Sequence, residues 1–217
     1  MSTSKSNHSA NMDRHNTKNP LKLFCLRRFI SHLLKKLEDY HGRNPITNTN
    51  LLDIGCGEGV ISLQILQHFP DIRIVGVDYS LEAIEKANKL CASVHNNKSA
   101  YILFKSGDIY NLEFQNNSFD IVLCLEVLEH LERPQDALME IYRVCKRQLI
   151  ISVPHEPWFR LGNLLSFKHV TRAGNPSGHI QHWTNSTFSE FCSAHFKACT
   201  FSKSFPWLLA HITKEEN

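Results

Sequence analysis

The sequence predicts an α/β fold with a doubly wound, mostly parallel Rossmann-like sheet and helices on both faces. Two observations lead to this prediction. A strand-like apolar run at residues 51–54 is followed at once by a glycine-rich turn and a helical pattern. From there on, strand and helix patterns alternate at the spacing of βαβ units, whose strands lie parallel in one sheet. The 217 residues are enough for one domain with a sizeable core.

The alternating part of the chain divides into short apolar strands and longer helices. The expected strands lie near residues 51–55, 73–78, 100–105, 119–125 and 148–153. The expected helices lie near residues 58–68, 81–94, 134–145 and 186–195. Ser80 is a good N-cap for the second helix, and Pro134 fits the first turn of the third. Residues 197–212 are expected to supply two more strands, separated at Pro206.

The N-terminal part precedes this alternating pattern and differs from it. Residues 1–18 are polar, with almost no apolar content, and are expected to be a disordered tail. Residues 19–48 are expected to hold an amphipathic helix, because apolar residues recur there at helical spacing. These residues are Leu23, Leu26, Ile30, Leu33, Leu34 and Leu37. A helix lying in a membrane interface is the alternative.

Composition and charge narrow the classes of function. Residues 1–50 hold nine Lys and Arg against three Asp and Glu, within a net charge of +3. This favours a solvated surface, with contact to nucleic acid or anionic lipid as the alternative. Seven scattered cysteines without C-x-x-C indicate reduced thiols and a cytoplasmic protein. No apolar run reaches 18 residues, so no transmembrane segment is expected.

The turn after the first strand determines which ligand fits. It carries an acid and three glycines at alternate positions, Asp53, Gly55, Gly57 and Gly59. A dinucleotide site needs G-x-G-x-x-G, but Val60 stands where the third glycine should be. Asp53 and Glu58 would also repel a pyrophosphate, and the chain lacks the G-K-[ST] of a P-loop. Acids suit S-adenosylmethionine (SAM), which has a sulfonium and an ammonium but no phosphate.

A second strand supports a nucleoside ligand. Residues 72–78 form an apolar run that ends in Asp78, 19 residues after Gly59. A carboxylate at this place can accept both hydroxyls of a ribose, and Tyr79 beside it could pack against an adenine. The alternative is a plain turn followed by a helix that begins at Asp78. The order of turn, strand and acid favours the ligand site.

These residues resemble the motifs of class I SAM-dependent methyltransferases, over roughly residues 50–155. The Asp53 to Gly59 turn is similar to the first motif, Asp78 to the second, and Asp108 with Ile109 to the third. Residues 118–131 resemble the fourth strand and the end of it that faces the reaction. The resemblance implies SAM as cofactor and a methyltransferase domain at residues 49–217. The implied cofactor-binding residues are Asp53, Gly55, Cys56, Gly57, Asp78, Tyr79, Asp108, Ile109 and Leu125.

The resemblance also implies how the two ends of the chain are used. The N-terminal helix of such enzymes packs on the sheet or covers the cofactor, and the C-terminal strands often form an antiparallel edge. Within this class, the chain resembles methyltransferase type 11 proteins and ubiquinone-pathway O-methyltransferases. One departure is visible, because many relatives have a Gly-Gly turn before the fifth strand, where this chain has Lys146, Arg147 and Gln148.

Residues 154–183 interrupt the alternating pattern and are rich in Pro, Gly, Trp, Phe and His. They follow the fifth strand, at the sheet edge where doubly wound folds bind ligands, and are expected to form a lid over the methyl acceptor. The four histidines in this segment could suggest zinc. No cysteine or H-x-x-x-H spacing supports zinc, and a role in shaping the acceptor pocket is favoured. They are His155, His169, His179 and His182.

Methyl transfer requires the acceptor to be aligned with the methyl group, and a general base helps if the acceptor is a hydroxyl. His130, just past the fourth strand, is the leading candidate for this base, and His155 is the second. A structural role for His130 is the alternative. No resident metal is the primary expectation.

A metal site is the second interpretation of the residues after the fourth strand. If that segment is helical, Glu126, Glu129 and His130 share one face and could hold a divalent cation, with His179 or His182 completing the set. Similar E-x-x-E-H runs bind metal in ubiquinone-pathway O-methyltransferases and in small-RNA 3′-terminal 2′-O-methyltransferases. They also occur in relatives without metal.

The sequence therefore predicts a SAM-dependent methyltransferase that acts on a small molecule by in-line displacement. The first alternative is a metal-assisted RNA 2′-O-methyltransferase, for which the basic N-terminal part and the E-x-x-E-H run speak. The second alternative is an idle SAM-binding partner module, which the intact glycine turn and the acids beside it disfavour.

Overall fold

The computed structural model describes residues 19–41, 49–94, 101–156, 158 and 178–214. The tail at residues 1–18, expected to be disordered, and His169 lie outside the described residues. Among the helices described, none combines the length and the apolar character needed to cross a membrane.

Seven strands and five α-helices are described. The strands are β1 (Asn50–Ile54), β2 (Arg73–Asp78), β3 (Ile102–Ser106), β4 (Phe119–Leu125), β5 (Cys145–Pro154), β6 (Cys199–Ser204) and β7 (Trp207–Thr213). The helices are α1 (Pro20–His41), α2 (Val60–His68), α3 (Leu81–Val94), α4 (Pro134–Val144) and α5 (Asn185–Ser193). A short 3₁₀ turn, Leu128–His130, follows β4.

All seven strands belong to one sheet, in the order β3-β2-β1-β4-β5-β7-β6. The first five pair in parallel, whereas β7 pairs antiparallel with both β5 and β6. The strand order reverses between β1 and β4, which is the place where doubly wound sheets open a crevice for a ligand. The predicted fold class, including its antiparallel C-terminal edge, is confirmed.

Each face of the sheet packs against its own set of helices. Successive strand residues point to opposite faces, so Leu51 packs with α1, α2 and α3, and Leu52 packs with α4 and α5. Burial on both faces explains why β4 is an almost continuous apolar run rather than an alternating one. The hydrophobic core therefore lies in two layers, one on each side of the sheet.

The passage from α4 into β5 differs from the expectation. The fifth strand begins at Cys145, directly after the last helical residue, Val144, and before the predicted start near residue 148. No glycine is required, because Cys145 already has extended backbone angles (φ −72°, ψ 132°). The Nζ of Lys214 donates to the carbonyls of Tyr142 and Cys145, at 2.8 and 2.9 Å, so the end of the helix is satisfied by a side chain.

Candidate active site

The glycine turn lies at the carboxyl end of β1 and is bonded to the end of β2. The amides of Gly55 and Cys56 both donate to the Val77 carbonyl, at 2.7 and 3.1 Å. Gly55 has a φ of +71°, and a Cβ on it would stand 2.2 Å from Cγ2 of Val127. Glycine is therefore required here both by backbone conformation and by space.

Asp78, at the end of β2, holds this turn in place. Its Oδ2 accepts from the Gly57 amide at 2.8 Å, and its Oδ1 accepts from the Ser80 amide at 2.9 Å. Each carboxylate oxygen has two lone-pair directions, so both retain capacity for the hydroxyls of a ribose. The donor chemistry of the residues present thus fits the sugar of a nucleoside ligand.

The remaining residues predicted for the adenosine part lie beside Asp78. Tyr79 is 83% exposed and is available for stacking. Asp108 follows β3, which pairs with β2, and its Oδ1 accepts from the Tyr110 amide at 2.9 Å. The half-buried Ile109 packs against the neighbouring core. These positions fit an adenine lying across the ends of β2 and β3.

A cavity opens between the glycine turn, the end of β4 and helix α1; we refer to it as the donor cavity. Four of the predicted cofactor residues line it: Asp53, Gly55, Cys56 and Leu125. Asp78, Tyr79, Asp108 and Ile109 lie at the neighbouring strand ends rather than in its lining. The residues that the sequence analysis did not assign to it are Leu26, Phe29, Glu58, Val60, Ile61, Glu126 and Trp207.

The donor cavity is acidic. Asp53 is 3% exposed, and its Oδ2 accepts from the Ser62 hydroxyl at 2.5 Å. Burial raises the pKa of Asp53 to about 7 in spite of that hydrogen bond. Glu58 is also buried, and its Oε1 lies 3.5 Å from the Nζ of Lys86. A ligand with positive charge would favour the ionised form of Asp53, whereas a pyrophosphate would be repelled.

Glu126 and Trp207 build the wall of the donor cavity opposite the glycine turn. Glu126 has a φ of +60°, which turns its carboxylate toward β5 and β7. Its Oε2 accepts from the Trp207 indole N–H at 2.6 Å, and its Oε1 accepts from the Ser152 hydroxyl at 3.2 Å. The Trp207 ring packs on Phe29 of α1, with 5.0 Å between ring centroids. Helix α1 thus covers the cavity, as expected for such a helix.

His130, the leading candidate for the base, ends the 3₁₀ turn after β4. Its Nδ1 lies 2.9 Å from the Gly178 carbonyl. A carbonyl only accepts hydrogen bonds, so Nδ1 carries the proton and the lone pair of the neutral ring lies on Nε2. That nitrogen is 3.9 Å from Oε1 of the buried Glu129. The His179 ring stands edge-on to His130, with centroids 4.8 Å apart.

Three side chains at this turn form a cluster with metal-ligating chemistry. One ligand atom from each of Glu129, His130 and His179 lies within 4.8 Å of the others. Glu126 does not belong to it, so Glu126, Glu129 and His130 do not share the one helical face that the alternative interpretation supposed. The segment forms a 3₁₀ turn that begins after Glu126, and the Glu126 carboxylate is used by Ser152 and Trp207 instead.

His155, the second candidate, lies in a different place. It follows β5, and its amide donates to the Pro206 carbonyl at 2.9 Å. Burial, helped by the nearby Lys203, lowers the pKa of its imidazole. It lines a surface groove with Trp158, Lys203, Phe205 and Trp207. The structure therefore does not bring His130 and His155 together in one cavity.

The C-terminal part of the predicted lid is tied down onto these elements. The amides of Ile180 and Gln181 both donate to the Glu129 carbonyl, at 2.9 and 3.0 Å. The Glu156 amide donates to the Trp183 carbonyl at 2.8 Å. Residues 157 and 159–177 lie outside the described residues, so the lid over the acceptor stays a prediction.

Comparison with known proteins gives the same class as the site. A family described as a methyltransferase domain matches residues 52–152. The mitochondrial ubiquinone biosynthesis O-methyltransferase of Schizosaccharomyces pombe is 30% identical over 180 residues, covering 81% of this chain and 61% of that protein. An uncharacterized methyltransferase of the same yeast is 38% identical over 99 residues, covering 44% and 36%.

Solved structures share the fold over a longer stretch. Magnesium protoporphyrin IX methyltransferase from Synechocystis PCC 6803, with bound SAH, superposes with a TM-score of 0.70 at 15% identity, covering 96% of each chain. Small RNA methyltransferase HEN1 has a TM-score of 0.64 at 22% identity, covering 88% of this chain and 25% of that one.

The strand order and the glycine turn are those of class I SAM-dependent methyltransferases, and residues 52–152 belong to the methyltransferase-domain family. The family prediction is confirmed. The chain spans 36% to 61% of the length of the first curated relatives that it matches.

Proposed function

We propose that this chain transfers the methyl group of SAM to a small-molecule acceptor by in-line displacement. The single observation that carries the proposal is the glycine turn, which Asp78 holds against β2 beside a cavity lined by buried acids. The ubiquinone O-methyltransferase of S. pombe, which aligns with 81% of this chain, supports a small-molecule acceptor. SAM, when bound, would supply an electrophilic methyl group on a sulfonium.

The residues of the chain then act by binding, orienting and excluding water. Asp78 would hold the ribose, and the acids of the donor cavity would favour the sulfonium and ammonium over neutral analogues. Phe29 and Trp207 close the cavity on the side of α1, which keeps water from competing with the acceptor. Most of the rate enhancement would come from this alignment rather than from covalent chemistry.

The test of this proposal is turnover. The purified chain is incubated with SAM and a panel of phenols, quinols, carboxylic acids and amines, and S-adenosylhomocysteine (SAH) is measured. Formation of SAH that depends on one acceptor class is the expected result. The lack of SAH formation across the panel, in protein that binds SAH, would favour the idle SAM-binding module instead.

A second candidate role concerns the cluster of Glu129, His130 and His179. Nδ1 of His130 is held by a carbonyl, and ligating histidines are commonly oriented in this way with Nε2 toward the metal. One buried carboxylate and two imidazoles suit a divalent transition metal. We propose that this cluster holds such an ion, in which case His130 acts as a ligand and not as the base.

Metal content and turnover together separate these two roles of His130. Elemental analysis is run on wild type, on His179→Ala and on His68→Ala, an exposed histidine far from the cluster. Metal lost only in His179→Ala, with turnover lost on chelation, supports a ligand. Metal-free protein with full turnover, abolished by His130→Ala, supports a base.

Nucleic acid is the less favoured acceptor. The exposed basic residues of α1 and the fold shared with HEN1 are the observations behind it. Tight binding of a short RNA that weakens steeply with salt would support this reading. Binding that is absent at moderate salt would leave the small-molecule acceptor.

A further inference from the structure

We infer that the groove formed by His155, Trp158, Lys203, Phe205 and Trp207 binds the methyl acceptor, and that it selects a flat apolar acceptor bearing an anionic group. This inference rests on the proposed function. We refer to the five residues as the aromatic groove. The family match at residues 52–152 reaches none of these five residues, which lie at positions 155, 158 and 203–207.

The aromatic groove has the size and the surface of a small-molecule site. Its volume is about 410 Å³, and ligand sites commonly measure roughly 300–1,000 Å³. Three of its five residues are aromatic. Phe205 and Trp158 are 52% and 48% exposed, although side chains of this size are normally covered. Indole and phenyl faces in one groove favour a flat ligand that stacks between them.

The charge of the aromatic groove is one-sided. Its lining holds one cation, Lys203, and no carboxylate. Among the residues that the structure describes, Lys203 forms no ion pair. Lys203 is itself exposed, and its ammonium is the one charge that an anionic group on a ligand in the groove would meet. The groove therefore discriminates in favour of a carboxylate or a similar anion.

The aromatic groove also lies where an acceptor must lie. Trp207 lines both this groove and the donor cavity, so the two spaces adjoin at this side chain. Trp207 pairs with Pro154 at the carboxyl end of β5. The predicted cofactor residues lie at the carboxyl ends of the neighbouring parallel strands, which is the same edge of the sheet. In-line displacement requires the acceptor to approach the methyl group from the side opposite its leaving sulfur, which a neighbouring groove allows.

Local contacts fix the shape of the aromatic groove. The His155 amide donates to the Pro206 carbonyl, which ties the turn between β6 and β7 to the end of β5. The Glu126 carboxylate and the Phe29 ring hold Trp207 from the other side. His155, Lys203 and Trp207 thus lie in strands of the sheet or directly beside them. The groove is therefore preorganised for a ligand.

Binding of a matched pair of ligands tests the inference. Calorimetry compares 2-naphthoate with 2-naphthamide, its neutral counterpart, on wild type, Lys203→Gln, Lys203→Arg and Lys197→Gln. Lys197 is an exposed lysine at the opposite end of β6 and serves as the control. We expect 2-naphthoate to bind wild type more tightly than 2-naphthamide, and Lys203→Gln to weaken 2-naphthoate by about fivefold with little effect on the amide. Lys203→Arg is expected to retain most of the affinity, and Lys197→Gln all of it.

Equal affinities of the two ligands for wild type, or 2-naphthoate binding unaffected by Lys203→Gln, would overturn the inference. No binding of 2-naphthoate at millimolar concentration would overturn it as well. SAH binding is measured on the same samples. If wild type does not bind SAH, the proposed function is contradicted on its own. The ligand pair still reports on the aromatic groove, because it binds there independently of the cofactor.

Discussion

Asp53 is a buried acid at the edge of the donor cavity, and its protonation responds to what the cavity holds. Burial raises its pKa to about 7, so near neutral pH the side chain is partly protonated. A cationic ligand stabilises the carboxylate and lowers this pKa. Binding of SAM is therefore expected to release part of a proton from Asp53 near pH 7.

The sign of the resulting pH dependence is fixed. Below the pKa the neutral acid must lose its proton before it can favour the cation, so affinity for SAM should rise as the pH increases through about 7. Calorimetry in buffers of different ionisation enthalpy measures both the affinity and the proton release. Asp53→Asn is expected to lose this component. The same pH dependence in wild type and Asp53→Asn would contradict the assignment.

Gly55 is a second residue whose identity is fixed by its immediate surroundings. Gly55→Ala places a Cβ where Val127 stands and keeps a φ of +71° that alanine tolerates poorly. A loss of about 2–4 kcal/mol in the free energy of unfolding is expected, together with loss of SAH binding. Urea denaturation measures the first quantity.

Combining Gly55→Ala with Val127→Ala separates the two causes. Removing the Val127 methyl groups relieves the contact but not the backbone strain, so part of the stability should return. The double variant should be more stable than the sum of the two single changes predicts. Strict additivity would show that space at Val127 is not what requires the glycine.

At the scale of elements, α1 is attached to the sheet through a polar chain as well as through its apolar face. His32 of α1 lies 3.0 Å from the Ser202 hydroxyl, which lies 3.2 Å from Nε2 of His211 in β7. Burial, with Lys36 and His32 contributing, lowers the pKa of His211 to about 4. Protonation of His211 is therefore disfavoured while α1 is packed on the sheet.

This contact makes stability depend on pH in one direction. The unfolded chain binds the His211 proton near pH 6.5 and the folded chain only near pH 4, so the stabilisation is present above about 6.5 and is lost on acidification toward 4. Between pH 6.5 and pH 4, the free energy of unfolding of wild type should fall by up to about 3 kcal/mol more than that of His211→Gln. Asp53 titrates alike in both proteins and cancels. If the difference in the free energy of unfolding between wild type and His211→Gln stays constant with pH, the role assigned to His211 is contradicted.

The elements themselves were largely predictable, because their signals are local. The strands at 73–78 and 119–125 and the helix at 81–94 match the observed bounds, since a periodic apolar pattern and a cap at Ser80 define them. The early start of β5 at Cys145 was not predictable, because the helix end is satisfied by Lys214, 69 residues away, and no local signal marks it. The 3₁₀ turn after β4 was also missed, since three residues carry no periodicity.

At the scale of the whole molecule, the donor cavity is assembled from the two ends of the chain. The turn at Asp53 to Gly59 can be recognised in the sequence from its glycines and its acid. Phe29 and Trp207, which meet over the same cavity, lie 178 positions apart and have no motif. A covering helix is predictable from the sequence, but the contact between Phe29 and Trp207 is not, because which side chains meet across a sheet depends on register and strand order.

The positions of the two candidate histidines likewise depend on the tertiary structure. His130 and His155 are adjacent to the ends of β4 and β5, so both are candidates by position along the chain. The sequence already groups Glu129 and His179 with His130 as a metal option, and the fold brings these three together. That His155 lies apart from them, in the aromatic groove, follows only from the tertiary structure.

The central claim is that SAM binds at the glycine turn through Asp78. Calorimetric titration of SAH into wild type, Asp78→Ala and Asp71→Ala tests it most directly, because Asp71 is an exposed acid just before β2 and outside the site. We expect wild type and Asp71→Ala to bind SAH alike, and Asp78→Ala to show no measurable binding while it remains folded by circular dichroism. Unchanged affinity in Asp78→Ala would contradict the site and the methyl donor assigned to it.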